Sequence, residues 1–456
     1  MKRKMALLLS VAMGAACLCG CGKTAEQKAG DNGSAVQSTL TGNTVQHLTF
    51  WYGLSGTPGE VLQGLIDEYN NSQSDVFVEA QYQGSYEETL NKLKTSVRTD
   101  SGPDLVQIYE AGTRSMVDSG FVIPMQEIVD DYGIDVARLE KNILGYYTVD
   151  DQLYSMPLNT SIPVCFYNKT VLSQIGYGDG PKTWDDMLTI SKLVKEQGLA
   201  ASGIAMSNSV WSFEQPMVQQ HYAMVDHDNG RAGRATKTTF ADGNLAVEIA
   251  TYFQKIFENG YGADVGFTSD ANKAAFWAGA AVMMCDSSGA LNISLDTIDG
   301  AFELGVCDFP ALTADADNGG VTLGGGSIYI CDNGRGDEAR AAIADFVKYI
   351  ISPEVQATLS TKTGYFPITT EAYELDAVKA YMKEYPQYAA IVDAMHRSSN
   401  MGYGPLYASI VEAREVYKKY LEQVMMGELT PEECISKSAS EIDRIIADYN
   451  DANPIG

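Results

Sequence analysis

Histidine is nearly missing from this chain of 456 residues: His47, His221, His227 and His396 are the only four. With no third ligand near the His221 and His227 pair, little remains for metal or acid–base chemistry. Cations are scarce too, with 32 Lys and Arg against 59 Asp and Glu, a formal net charge of −27. A phosphate backbone is gripped by clustered Lys and Arg, so the balance argues against a general nucleic-acid role. No two cysteines have C-x-x-C spacing, which removes the common zinc and dithiol signatures. No apolar stretch of about 18 residues interrupts the body of the chain, which therefore does not read as a membrane domain.

What apolar run there is lies at the start. Lys2-Arg3-Lys4 precedes an uncharged stretch from Met5 to Cys19. A charged head and an apolar segment shorter than the roughly 20 residues of a spanning helix make a secretory signal. The run closes on Leu18-Cys19-Gly20-Cys21-Gly22, small residues followed at once by cysteine. This resembles the lipobox of bacterial lipoproteins, with Cys21 as the acylated residue and new N-terminus; the bland alternative is an ordinary cleavage site beside an incidental cysteine. Cleavage after residue 20 removes three cations and no anion, so the mature chain stands near −30. Five cysteines then remain, Cys165, Cys285, Cys307, Cys331 and Cys434. Odd in number and set mostly in apolar surroundings, they read as small buried hydrophobes.

Residues 21–46 are rich in Gly, Ser, Thr, Gln, Asn and Ala and bury nothing, so they form a flexible tether behind the lipidated cysteine. The strand pattern Leu48–Trp51 follows. A helical stripe of Val61, Leu62, Leu65, Ile66 and Tyr69 comes next, then a strand at Val76–Ala80, a helix at Tyr86–Arg98 and a buried-type strand at Pro103–Ile108. Such alternation implies parallel sheets with right-handed crossovers. It continues through Val164–Tyr167, the helix after Trp184, Ala280–Met284 and Ile328–Cys331, and ends in a helical tail from Glu371 to Asn450. Two α/β lobes and a helical C-terminal segment account for the length.

No catalytic constellation emerges. Asp150-Asp151 and Asp185-Asp186 sit in polar turns, where solvated or capping roles are the rule. Asp315-Ala-Asp317-Asn-Gly-Gly320 imitates a calcium loop but carries Gly326 where a bidentate Glu belongs. Gly324-Gly325-Gly326 lacks the Lys-Ser/Thr of a phosphate loop. Neither a cofactor nor a metal is expected. Tyrosine is abundant at 26, and aromatic faces joined to Ser, Glu and backbone amides suit polyol or phosphate binding.

Four strings then matter together: Pro103-Asp104-Leu105-Val106, Tyr167-Asn168-Lys169, Pro181-Lys182-Thr183-Trp184 and Phe276-x-x-Gly279-x-Ala281-x-Met283. In this order, behind a lipobox and tether, they resemble landmarks of family 1 solute-binding proteins of ABC importers over residues 47–450. The glycerol-3-phosphate binders of that family are the most similar. The carrying segments include Gly84-Ser85-Tyr86-Glu87, Gln107–Thr113, Pro157–Val164, Ser287-Ser288-Gly289, Gly324–Ser327 and Thr363–Thr369.

The resemblance implies an α/β, two-lobed periplasmic-binding-protein-like fold with mixed sheets, hinge strands and a ligand cleft between the lobes. It implies a signal peptide at 1–20 and a lipidated tether at 21–46. Lobe 1 would take 47–157 and 304–352, and lobe 2 would take 158–303 and a helical part at 353–456. It implies ligand contacts from Tyr86, Glu110, Ser161, Ser287, Gly325 and Tyr365, with Trp211 matching an aromatic of the cleft region. Glu110 would accept hydroxyl protons, and the serines and the Gly325 N–H would donate to anionic oxygens.

The family's glycerol-phosphate binders also carry an arginine before the last long helices. An ungapped alignment puts Leu406 there, and a small gap brings Arg397. Loss of that cation would remove about 1.5–3 kcal/mol of charge-assisted bonding and admit a neutral head group. The implied product is a non-enzymatic monomer, exported and anchored to the outer face of the cell membrane. It would deliver glycerol-3-phosphate or a glycerophosphodiester to an ABC permease. A neutral sugar or oligosaccharide is the alternative ligand, and a secreted hydrolase the remote alternative function.

Cys21→Ala is expected to abolish acylation and release the protein from the membrane or leave it unprocessed. Fractionation of cells with palmitate labelling checks this; normal processing with unchanged membrane retention contradicts the lipoprotein reading.

Overall fold

The computed structural model describes residues 45–96, 101–206, 211–266, 268–314, 320–398 and 404–454, together with the main chain alone at Trp211. The signal, Cys21 and most of the tether lie outside the described residues, as do 315–319 of the calcium-like loop. No described helix is long and apolar enough to cross a membrane.

Apolar runs near the start of the described chain form β1 (Gln46–Tyr52), β2 (Val76–Tyr82), β3 (Leu105–Tyr109) and β4 (Val122–Ile123). The hairpin β5 (Thr148–Val149) and β6 (Gln152–Leu153) turns on Asp150 and Asp151, whose φ angles of 50° and 61° are those of a tight two-residue turn. Then come β7 (Met156–Ser161), β8 (Pro163–Asn168), β9 (Ser202–Ala205), β10 (Ala281–Ser287), β11 (Leu304–Asp308) and β12 (Gly324–Cys331).

One sheet has the order β2-β1-β3-β12-β4, with β7 also paired to β12; the second has the order β11-β8-β10-β9. The expected parallel pairing holds for β1 with β2 and β3, and for β9 with β10. Every pairing of β12 and of β8 is antiparallel.

The chain changes sheet at definite residues. β7 pairs with β12 as far as Ser161 opposite Gly324, so the chain leaves the first sheet at Ile162 and not at 157. β11 pairs along its length with β8, so residues 304–308 stand in the second sheet and the return follows Asp308. The helix Pro353–Thr363 packs on Gly56–Ser72, a helix of the first sheet. The helix Pro386–Arg397 packs on β11, while Ile410–Met425 and Pro431–Ala452 pack on Leu245–Glu258.

The helix Trp184–Gln197 shows how local sequence sets an element. Thr183 accepts from the N–H of Asp186, Asp186 accepts from the N–H of Thr183, and Gly198 closes the far end with φ 63°. Asp186 is thus a cap, as its turn setting implied, and Asp185 accepts from the Tyr252 hydroxyl. The five cysteines are free thiols, four of them buried. Cys165 stands between Cys285 and Cys307 across three strands. These neighbouring thiols, together with burial, hold its pKa well above the usual thiol range.

The first sheet is sealed by the helix Asp337–Ile350, whose Phe346 is fully buried with ring centroids 6.1 Å from Phe50 and 5.2 Å from Tyr69. Phe346→Ala is expected to destabilise the protein by about 3–5 kcal/mol, read as a fall in the urea midpoint, because the hole it leaves is walled by sheet and helix.

Candidate functional site

Strands of both sheets end around one polar cavity of about 310 Å³. It is lined by Tyr86, Tyr109, Glu110, Ser161, Ser269, Asp286, Ser287, Gly325, Tyr365 and Arg414. Six of the seven expected contact residues are therefore brought together. Trp211 opens the helix Trp211–Gln219, but its side chain lies outside what is described.

Each lining residue arrives by a definite route. Glu110 follows β3 directly in a 3-10 turn, and its own carbonyl accepts from the Tyr146 hydroxyl. Ser161 is the last residue of β7, where the chain changes sheet, and Ser287 is the last of β10. Tyr86 begins the helix Tyr86–Ser96 and stacks on Tyr109 with centroids 5.4 Å apart and planes 4° from parallel.

A chain of buried amides fixes Tyr86. The N–H of Gly53 donates to Gln107 Oε1, Gln107 Nε2 donates to Asn159 Oδ1, and Asn159 Nδ2 donates to the Tyr86 hydroxyl at 2.8 Å. The Tyr86 hydroxyl keeps its proton for another acceptor. Burial pushes the Tyr86 and Tyr365 pKa values up, so both phenols stay neutral donors.

Gly325 has φ 103°, and a Cβ there would meet the Asn159 carbonyl oxygen at 1.8 Å. Only glycine lets β12 approach β7 so closely. Tyr365 follows the Gly364 cap, and its ring covers Gly289, where an added Cβ would lie 3.0 Å from Cε1.

The cation is the main correction to the sequence reading. Leu406 is 2% exposed, and Arg397 is an exposed residue forked onto Asp308 at 2.8 and 3.0 Å. Neither lines the cavity. Arg414 does, eight positions beyond Leu406 on the helix Ile410–Met425. Its Nε and Nη2 each donate to Glu214 at 2.9 Å, and its Nη1 donates to Glu110 Oε1 at 3.0 Å. Tyr417 donates from one helical turn on to Glu214. Burial opposes the charge of Arg414, but Glu214 and Glu110 hold its pKa well above the usual guanidinium range. Burial raises the Glu110 pKa, and Arg414 offsets part of that rise. Among the described residues, three of the five guanidinium N–H groups are engaged, leaving one on each terminal nitrogen for a ligand.

Arg414, Glu214, Tyr109 and Asn159 were missed from sequence. For Arg414 a signal exists. It occupies the buried stripe of its helix, with Ile410 four residues before it and Tyr417 three after. A lone arginine in an apolar stripe needs buried partners.

The bacterial extracellular solute-binding protein family model matches residues 64–390, most of the chain. The chain belongs to this family. Among relatives, this solute-binding protein is 26% identical to the sn-glycerol-3-phosphate-binding periplasmic protein of Yersinia pseudotuberculosis, over 92% of this chain and 97% of that protein. The Salmonella typhimurium counterpart is likewise 26% identical, over 92% of this chain and 98% of that one. Solved structures share the two-lobed fold. The glycerophosphocholine complex of the Mycobacterium tuberculosis protein UgpB superposes with a TM-score of 0.74 at 18% identity, covering 89% of this chain and all of that one. The GacH receptor of Streptomyces glaucescens, solved unliganded and with acarbose, gives 0.74 at 19% identity with the same coverage. Among the described residues of the solute-binding protein, no group of three or more His, Cys, Asp or Glu is placed to hold a metal ion.

Arg414→Ala strands two buried carboxylates and is expected to cost about 3–5 kcal/mol in urea unfolding. Glu110→Gln keeps the Arg414–Glu214 pair and is expected to cost far less. The raised Glu110 pKa means the folded protein binds this proton more tightly than the unfolded chain, so stability declines as pH rises from about 4.3 through the folded value. Urea midpoints of Glu110→Gln between about pH 4 and pH 7 should lack that decline.

Proposed function

We propose that this protein is the exported, lipid-anchored binding component of an ABC importer. It captures glycerol-3-phosphate or a related glycerophosphodiester in the cavity between its two sheets and delivers it to the membrane permease. The observation that carries this reading is Arg414, a buried guanidinium with two N–H groups to spare in a cavity otherwise lined by hydroxyls, tyrosines and carboxylates. Phosphoryl oxygens match those N–H groups, the Ser161 and Ser287 hydroxyls and the Gly325 amide. Glycerol hydroxyls match Glu110, and the stacked Tyr86 and Tyr109 offer a face to the carbon skeleton.

The names of the Yersinia and Salmonella relatives and the ligand of the Mycobacterium structure support the same chemistry. The return of the chain through β7 and β8, with Ile162 alone between them, suits a hinge on which the two sheets close over the ligand. Anchoring through Cys21 would keep the protein beside its permease, and binding by a monomer suffices for the role.

A neutral sugar is the second reading, favoured by one observation: Arg414 already faces two carboxylates, so the cavity holds no surplus positive charge. Titration calorimetry with glycerol-3-phosphate, glycerophosphocholine and maltose separates the two. Binding of a glycerophosphate ligand, weakened at least tenfold by Tyr365→Ala, is the expected outcome; binding of maltose alone gives the site to sugars.

A further inference from the structure

We propose that Asp286 is a charge filter of this cavity, selecting phosphodiesters with a positively charged alcohol, and neutral polyols, over a dianionic phosphomonoester. The inference rests on the glycerophosphate reading above. Asp286 is the penultimate residue of β10 and lines the cavity beside Ser269, Ser287 and Arg414. Its side chain is only 10% exposed. The carboxylate is held by three groups. The Ser287 N–H donates to Oδ1 at 2.7 Å, Ser269 Oγ donates to Oδ2 at 2.9 Å, and Lys273 Nζ stands 3.6 Å from Oδ1. These contacts keep the group aimed and leave lone pairs on both oxygens for the cavity.

The consequence is a matter of charge. Glu110, Glu214 and Asp286 face Arg414 and Lys273, so the site carries one surplus negative charge before any ligand enters. A dianionic monoester would raise the surplus to three, and a monoanionic diester to two. A diester whose alcohol is a cationic amine adds nothing net, and a neutral polyol adds nothing at all. At an effective dielectric of about 20, one unit charge several ångströms away changes affinity by roughly tenfold or more. Lys273 stands 3.6 Å from Asp286, farther than the 2.9 and 3.0 Å that bind Glu214 and Glu110 to Arg414, and Asp286 lines the cavity while Lys273 does not, so the charge of Asp286 is the least offset where the ligand lies.

The test is calorimetric titration of the full chain with glycerol-3-phosphate and with glycerophosphocholine at about pH 8, where the monoester, with a second pKa near 6, is dianionic. The readout is the ratio of the two dissociation constants. Asp286→Asn should shift the ratio about tenfold toward glycerol-3-phosphate, and Lys273→Met should shift it the opposite way. Asp308→Asn, an exposed carboxylate paired with Arg397 outside the cavity, should leave it unchanged and controls for net charge. A ratio unmoved in both cavity variants, with the wild type binding both ligands, overturns the filter and leaves the ligand assignment standing. Failure of the wild type to bind either phosphate ligand overturns the ligand assignment and the filter with it.

Discussion

A single buried guanidinium organises the binding end of this molecule. Arg414 lies between Glu214 and Glu110, residues 200 and 304 positions away in the chain. A buried charge is tolerable only when partners with good geometry replace its water. The helix Ile410–Met425 therefore has to pack against the turn after β3 and bring the helix Trp211–Gln219 within reach. Glu214 takes two of the donors and Tyr417 steadies Glu214, so the guanidinium is oriented before a ligand arrives. Such preorganisation moves an ordering cost from binding to folding.

Around that cation the backbone contributes as much as the side chains. β7 and β12 pair in the first sheet and β8 lies in the second, and Ser161 ends β7 where the chain changes sheet, with Gly325 near the start of β12. Gly325 presses against Asn159, and Asn159 links Gln107 to Tyr86.

The five thiols carry a different lesson. Cys165, Cys285 and Cys307 are neighbours across β11, β8 and β10, yet all are free and the middle one is fully buried. The thiolate of Cys165, the form that binds metals and attacks disulfides, is suppressed by the neighbouring thiols and burial. They serve as packing groups in a sheet that has little room for larger side chains: an added Cβ at nearby Gly180 would lie 2.8 Å from the Cys307 sulfur.

Local pattern alone determined the strands at Leu48, Val76 and Leu105, the cap at Asp186 and the tight turn at Asp150-Asp151. Each of these depends on neighbours within a few residues of the same chain. Family-like strings determined six cavity residues, because Tyr86, Glu110, Ser161, Ser287, Gly325 and Tyr365 each sit inside a short, ungapped segment. The changes of sheet did not follow, since pairing β11 with β8 and carrying β7 to Ser161 are matters of hydrogen-bond register between distant strands. Nor did the cation. Arg414 stands out only as a lone arginine in the buried stripe of its helix, and counting along the sequence from the family position leads to Leu406 instead. The stripe signals that Arg414 is buried, but only the packing of its helix against Glu110 and Glu214 supplies its partners and places it in the cavity, a long-range electrostatic requirement.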